Sequence, residues 1–109
     1  RASPIVCEAW LARVLEADPQ RTAAHVLLGT YRARVGDDAA AARHLRRACE
    51  TDPGCAEAFL DLAEVHLRLK ETESARALLD HAEEIVDNEA ARVRLSTLRS
   101  RVDEESASG

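Results

Sequence analysis

Apolar residues recur along this chain in steps of three and four. Ala41, Leu45 and Ala48 form one such series, and Ala58, Leu62, Val65 and Leu69 a second. Ala75, Leu79 and Ala82 follow, then Ala91, Leu95, Leu98 and Val102. That spacing puts each series on one face of a helix, and no segment alternates at the period of two that a strand requires. Punctuation divides the pattern into six helices. Ser3-Pro4 reads as an N-cap followed by proline at the first helical position, opening a run from Ile5 to Ala17. Asp18-Pro19 breaks it, because the residue before a proline disfavours the helical region. A second helix is predicted from Thr22 to Val35, with Gly36 as its C-terminal glycine and Asp37 as the cap of the next, Asp38 to Thr51. After Asp52-Pro53-Gly54 comes a fourth from Ala56 to Leu69. Thr72 can cap a fifth that ends near Val86, and the last is expected from Ala90 to Val102. The polar tail, 103–109, is expected to be disordered.

The helices repeat. Pro53 lies 34 positions after Pro19, and the same shift places Ala24 on Ala58, Leu28 on Leu62 and Gly29 on Ala63. It also places Val35 on Leu69, Ala41 on Ala75, Leu45 on Leu79 and Ala48 on Ala82. Every matched position is apolar or small, as a reused packing interface demands, so 34 is the period of the chain. After Asp87 a shift of 33 fits better, carrying Ala58 onto Ala91, Leu62 onto Leu95, Val65 onto Leu98 and Leu69 onto Val102. One residue has been lost in that turn.

A helix-turn-helix unit of this length, bearing Leu28-Gly29, Gly36-Asp37, Ala41, Leu45, Ala48 and Pro53, resembles the tetratricopeptide repeat. The second unit carries Phe59, Leu62-Ala63, Ala75, Leu79 and Ala82, and Cys7, Leu11, Val14 and Pro19 fall in register as the second helix of a preceding unit. Departures are visible. His25 and Arg32 stand where the family prefers large aromatics, His66 replaces another, Lys70-Glu71 replaces Gly-Asp, and Asp87 stands at the proline position. The resemblance implies an all-α fold, a right-handed α-α superhelix of about six short antiparallel helices. It divides a single domain, residues 1–102, into a half repeat (1–21), full repeats (22–55 and 56–89) and a capping helix (90–102). Ser96, Arg99 and Arg101 make that last helix polar on its outer side, as a cap should be.

Composition is compatible with this picture. The chain has 109 residues, 46% hydrophobic and 32% charged, which suits a folded single domain rather than a disordered segment. Aromatics make up only 3%, so alanine and leucine must build the core. The net charge of −5 argues against general nucleic-acid binding, which draws on phosphate neutralisation. Arg43, Arg46 and Arg47 form a small basic group, but no aromatic stacking platform accompanies them. Lys70 is the sole lysine, as expected of GC-rich bacterial coding. No apolar run approaches the roughly 20 residues that span a bilayer. A cytoplasmic location is the expectation, although the chain starts at Arg1 and a targeting segment could have been removed.

Catalytic motifs are absent, and an enzyme is not expected. Neither is a cofactor or metal: His25, His44, His66 and His81 are scattered, and Cys49 and Cys55 lack a usual zinc spacing. Binding is the better reading. In the family the first helix of each repeat lines a concave groove. By register this assigns Val26, Thr30 and Arg34 from the first repeat, and Glu57, Leu60, Asp61, Glu64, Leu67 and Arg68 from the second. Glu57, Asp61 and Glu64 share a helical face beside Leu60 and Leu67, which suits a partner peptide or helix with basic and apolar residues. The Lys/Arg/Asn clamp of chaperone-binding members has no counterpart here, so acidic C-terminal peptides should not bind. The alternative is self-assembly, or docking within a larger protein, through the first helix. There Ile5, Trp10 and Leu15 could leave apolar surface open, and tryptophan is enriched at interface anchors.

Overall fold

The computed structural model describes residues 4–18 and 21–108, with side chains over 9–18 and 21–107. Six helices follow one another: α1 (Pro4–Ala17), α2 (Thr22–Arg34), α3 (Asp38–Thr51), α4 (Ala56–Arg68), α5 (Thr72–Ile85) and α6 (Glu89–Ser108). No strand occurs among the described residues. The five inner boundaries fall within a residue or two of the predicted ones. Ser3, Pro19 and the side chains of Ile5 and Cys7 lie outside what is described. The last element corrects an expectation. The tail predicted as disordered continues α6 as helix through Ser108, and along it Lys70 meets Glu105 at 3.5 Å and Arg76 meets Asp103 at 3.8 Å. Arg76 Nη2 also donates to Ser106 Oγ at 2.8 Å.

Contacts group the chain into two compact units, 1–53 and 54–109, divided two residues before the expected repeat boundary. The first holds α1, α2 and α3. Leu11 of α1 packs with Ala24 and Leu28 of α2, flanked by the half-buried Val14 and Leu15. Across the α2–α3 hairpin, a Cβ added to Gly29 would lie 2.6 Å from Leu45 Cγ and 3.3 Å from the Ala41 carbonyl oxygen. Glycine is therefore what lets these helices close on each other. Ala41, Leu45 and Ala48 are buried at that contact. Gly36 turns the chain with φ +87°, its N–H donating to Ala33 O and that of Asp37 to Arg32 O, a Schellman-type stop. Asp37 then caps α3, its Oδ1 accepting from Ala40 N at 3.1 Å. At the far end of the hairpin, Thr22 Oγ1 and Thr51 Oγ1 are hydrogen-bonded at 2.7 Å.

The second unit reuses the plan. Ala58, Leu62, Ala63 and Val65 of α4 are buried, as are Ala75, Leu79 and Ala82 of α5. α6 packs on both helices and buries Leu95, Leu98 and Val102. Phe59 stacks on His81, ring centroids 4.2 Å apart. Lys70 holds the place of Gly36 and takes its left-handed conformation, φ 63°, with Lys70 N donating to Leu67 O and Glu71 N to His66 O. The turn geometry has been kept although the residue suited to it has not. His66 stabilises this turn: its buried ring donates from Nδ1 to Glu71 Oε1 at 2.9 Å, the direction an ionised carboxylate requires. Thr72 was expected to cap α5; instead Glu71 occupies the cap position and its side chain makes no cap bond, being drawn to His66.

Candidate functional site

α4 carries the strongest concentration of the expected binding residues. One helical turn separates Asp61 from Glu57, and Glu64 lies three residues further on, so the three carboxylates share a face. α6 answers them with one cation. Arg94 Nη2 lies 2.5 Å from Asp61 Oδ1 and 2.9 Å from Glu64 Oε1. Arg68 reaches Glu64 only at 3.9 Å from its own surface position. Among the described residues, none brings a cation within ion-pair distance of the exposed Glu57.

The charge balance of this group is uneven. Burial pushes the Asp61 carboxyl above its usual range, Arg94 opposes that shift, and the nearby charges of Glu57 and Glu64 reinforce it. Burial works against the Arg94 charge too, but hydrogen bonds and attraction from Glu64 and Asp61 outweigh it and hold the guanidinium above its ordinary value. The two shifts fit together once stoichiometry is considered. Arg94 is served by two carboxylates, whereas Asp61 shares one guanidinium and faces two further negative charges.

Beside this group a cleft of about 410 Å³ opens between the start of α4, the end of α5 and the start of α6. Leu60, Ile85 and Ala91 line it as apolar surface, with Glu57 and Asp87 as acids and Arg94 as the base. Asn88 shapes its edge by capping α6, Oδ1 accepting from Ala91 N at 2.8 Å.

The structure separates the expected groove residues by burial. Leu60 and Leu67 are only 1% and 3% exposed and belong to the packed interior of the second unit. Asp61 and Glu64 are half-buried, while Glu57 and Arg68 are open. In the first unit Val26 and Thr30 are half-buried and Arg34 exposed. Leu27, which sequence reasoning passed over, is 55% exposed beside them on α2. Its register equivalent at a shift of 34 is Asp61, so the same position is apolar in one unit and acidic in the other. Arg94 was also missed, although the shift of 33 that aligns the last helix places it on Asp61 as an opposite charge.

On α1, Trp10 is 63% exposed, whereas Leu15 is partly covered against Leu11, Ala24 and Leu28. Arg47 of the basic group on α3 pairs with Glu50 at 3.1 Å. Among the described residues, no three His, Cys, Asp or Glu side chains gather in a way that could hold a metal ion. Within them, too, no helix is long and apolar enough to cross a membrane.

Paired helices with a small residue at each crossing, a left-handed turn at positions 36 and 70, and a 34-residue register define a helical-repeat protein. Two family models described as tetratricopeptide repeat match the chain, over residues 33–101 and 8–54, and the chain belongs to that family. Repeats of this family generally mediate protein–protein interaction and are typically non-enzymatic. No curated protein matches the chain as a relative.

Proposed function

We propose that this chain is a non-enzymatic protein-interaction module, and that its second unit reads a partner segment through the α4 cleft. The observation that carries this reading is the uneven charge of that face: Arg94 pairs with Asp61 and Glu64 but leaves Glu57, on the same face, outside ion-pair distance beside an apolar-floored cleft. A lysine or arginine of a partner, flanked by apolar residues, would find in Glu57 a carboxylate with no competing cation and in Leu60, Ile85 and Ala91 a surface for its neighbours. The exposed Arg34 and Leu27 on α2 give the first unit a separate, apolar-basic patch for contacts of its own. The partner is a protein rather than a nucleic acid, since the exposed charges at the cleft, Glu57 and Asp87, are acidic and would repel phosphates. A cytoplasmic setting suits such a module.

The test is a crosslinked pull-down from the source lysate, read by mass spectrometry, comparing the wild type with Glu57→Lys and Asp87→Lys. Both residues are exposed, so the fold should survive. A partner captured by the wild type and lost by both variants supports the reading. The same partners on all three proteins would reject it.

A second reading rests on Trp10. An indole 63% exposed on α1 favours an apolar contact there, with a second copy or with another part of a larger assembly. Light scattering of the wild type against Trp10→Ala separates these possibilities: a single monomeric mass for both proteins would reject self-association.

A further inference from the structure

The repeat register shows what covers one side of a second helix, and α1 lacks it. In α3 the row His44, Ala48 and Thr51 is covered by α2. His44 lies against His25 with ring centroids 6.3 Å apart, Ala48 has no exposed surface, and Thr51 is half-buried on Thr22. A shift of 34 puts Leu78, Ala82 and Ile85 of α5 on that row; Ala82 is again fully buried and the other two are half-buried. On α1 the row is Trp10, Val14 and Ala17, spaced i, i+4 and i+7 along one face. Trp10 is 63% exposed, Ala17 is exposed and only Val14 is half-buried. α2 covers the neighbouring strip of α1 through Leu11, so the open row is continuous with a helix contact already made.

We propose that this row is the docking site for a single amphipathic helix of a partner protein, which lies on α1 as α2 lies on α3. The inference rests on the reading of Trp10 as a contact residue and adds the form and the pattern of what covers it. α2 turns Thr22, His25 and Gly29 toward α3, at i, i+3 and i+7, and α4 carries Ala56, Phe59 and Ala63 at the same places. The last of these is small in both helices; at Gly29 even a Cβ would stand 2.6 Å from Leu45 Cγ. Leu11 holds the place of Leu45 on α1, so the partner helix needs glycine or alanine opposite it. Its first position is apolar, because Ala17 has no hydroxyl to match that of Thr51. Arg13 flanks the row, exposed and without an ion pair among the described residues, so an acidic residue on the edge of the partner helix completes the charge. A second copy of the chain does not supply this helix. Its α2 and α4 already bury that face against α3 and α5, and the face of α6 in the same register, Glu89, Arg92 and Ser96, is polar.

The probe is a peptide of residues 55–69, which carries the required pattern and no tryptophan. In it Arg68→Lys is joined to Glu64 by a side-chain lactam, on the side of the helix away from Ala56, Phe59 and Ala63, to hold so short a segment helical. It is titrated into the full chain. Trp10 is the sole tryptophan, so its emission reports the docking site itself. A saturable shift of that emission to the blue, with weaker quenching by acrylamide, is the expected result. Ala63→Leu in the peptide overfills the crossing and should weaken binding about tenfold. Ala17→Arg in the chain sets a long cation across the row and should abolish binding, while the circular dichroism stays that of the wild type because Ala17 is exposed. An unchanged Trp10 emission, equal binding of the two peptides, or binding indifferent to Ala17→Arg overturns the proposal. So does a dimer in light scattering that binds no peptide and is dissolved by Trp10→Ala; in that case the Trp10 contact stands, made with a second copy rather than with a partner helix.

Discussion

Lys70 offers a direct measure of what the second turn costs. Its φ of 63° puts an L-residue with a full side chain in the left-handed region, at the position glycine occupies in the first unit. That conformation costs roughly 1–2 kcal/mol in a residue with a Cβ. Lys70→Gly removes the strain but returns about 0.5–1 kcal/mol of backbone freedom to the unfolded chain. It also deletes the pair with Glu105, 3.5 Å long and with Lys70 74% exposed. A pair that open contributes at most a few tenths of a kcal/mol. The strain term is the largest of the three, so the variant should be more stable by about 0.5 kcal/mol, or roughly 2 °C in Tm. Lys70→Ala is the control. It loses the same ion pair and keeps the strain, so it should be equal to the wild type or slightly less stable. The reciprocal change, Gly36→Lys, should destabilise the first unit by about 1 kcal/mol. Urea and thermal melts followed by far-UV circular dichroism decide the matter. Lys70→Gly melting below Lys70→Ala would refute the reasoning, because relief of the left-handed strain is expected to outweigh the backbone freedom that glycine returns to the unfolded chain.

Leu79→Ala, at a side chain with no exposed surface, should cost about 2–5 kcal/mol and abolish cooperative melting of the second unit. Because burial raises the Asp61 pKa in the folded state, the native protein holds more proton than the unfolded chain in the window just above about 3.9. Asp61 therefore costs stability at neutral pH, and that cost disappears as pH falls through the window; Asp61→Asn should flatten this part of the stability–pH curve, and an unchanged curve would contradict the assignment. Trp10 is the sole tryptophan and is exposed, so acrylamide should quench it almost as well in the native state as in urea, unless a partner or second copy covers it. The acidic face also predicts no saturable anisotropy change with an acidic C-terminal peptide of the chaperone type.

Periodicity made most of this fold legible. Gly29, Gly36 and Asp37 announce a close crossing, a stop and a cap, and the structure places each in that role. Burial on the binding face was not legible in the same way. Leu60 and Leu67 look like groove residues in a single helix, whereas in the folded chain both are buried, which the helix's own spacing does not reveal. The tail misled for a related reason. Asp103, Glu105 and Ser106 read as disordered from their polar composition, while their contacts with Lys70 and Arg76, some thirty residues away, are not visible locally. The Thr72 cap failed against a competitor, since His66 engages the adjacent Glu71. The Asp61–Arg94 pair was available to register reasoning, but only by comparing opposite charges at aligned positions rather than matching like with like.

The hydroxyl pair of Thr22 and Thr51 has a mechanical side. The α2–α3 hairpin is held at both ends, by the Gly36 turn at one and by this 2.7 Å clasp at the other, so its arms cannot part like tweezers. At a shift of 34 the same two positions in the second unit are Ala56 and Ile85, which have no hydroxyl to share and instead form two walls of the cleft. The α4–α5 hairpin therefore lacks a hydroxyl clasp at its tips and is bridged there by the apolar stack of Phe59 on His81. A directional hydroxyl bond fixes the distance between the tips in the first unit, whereas an apolar stack in the second tolerates sliding, so the two hairpins differ in what holds their open ends.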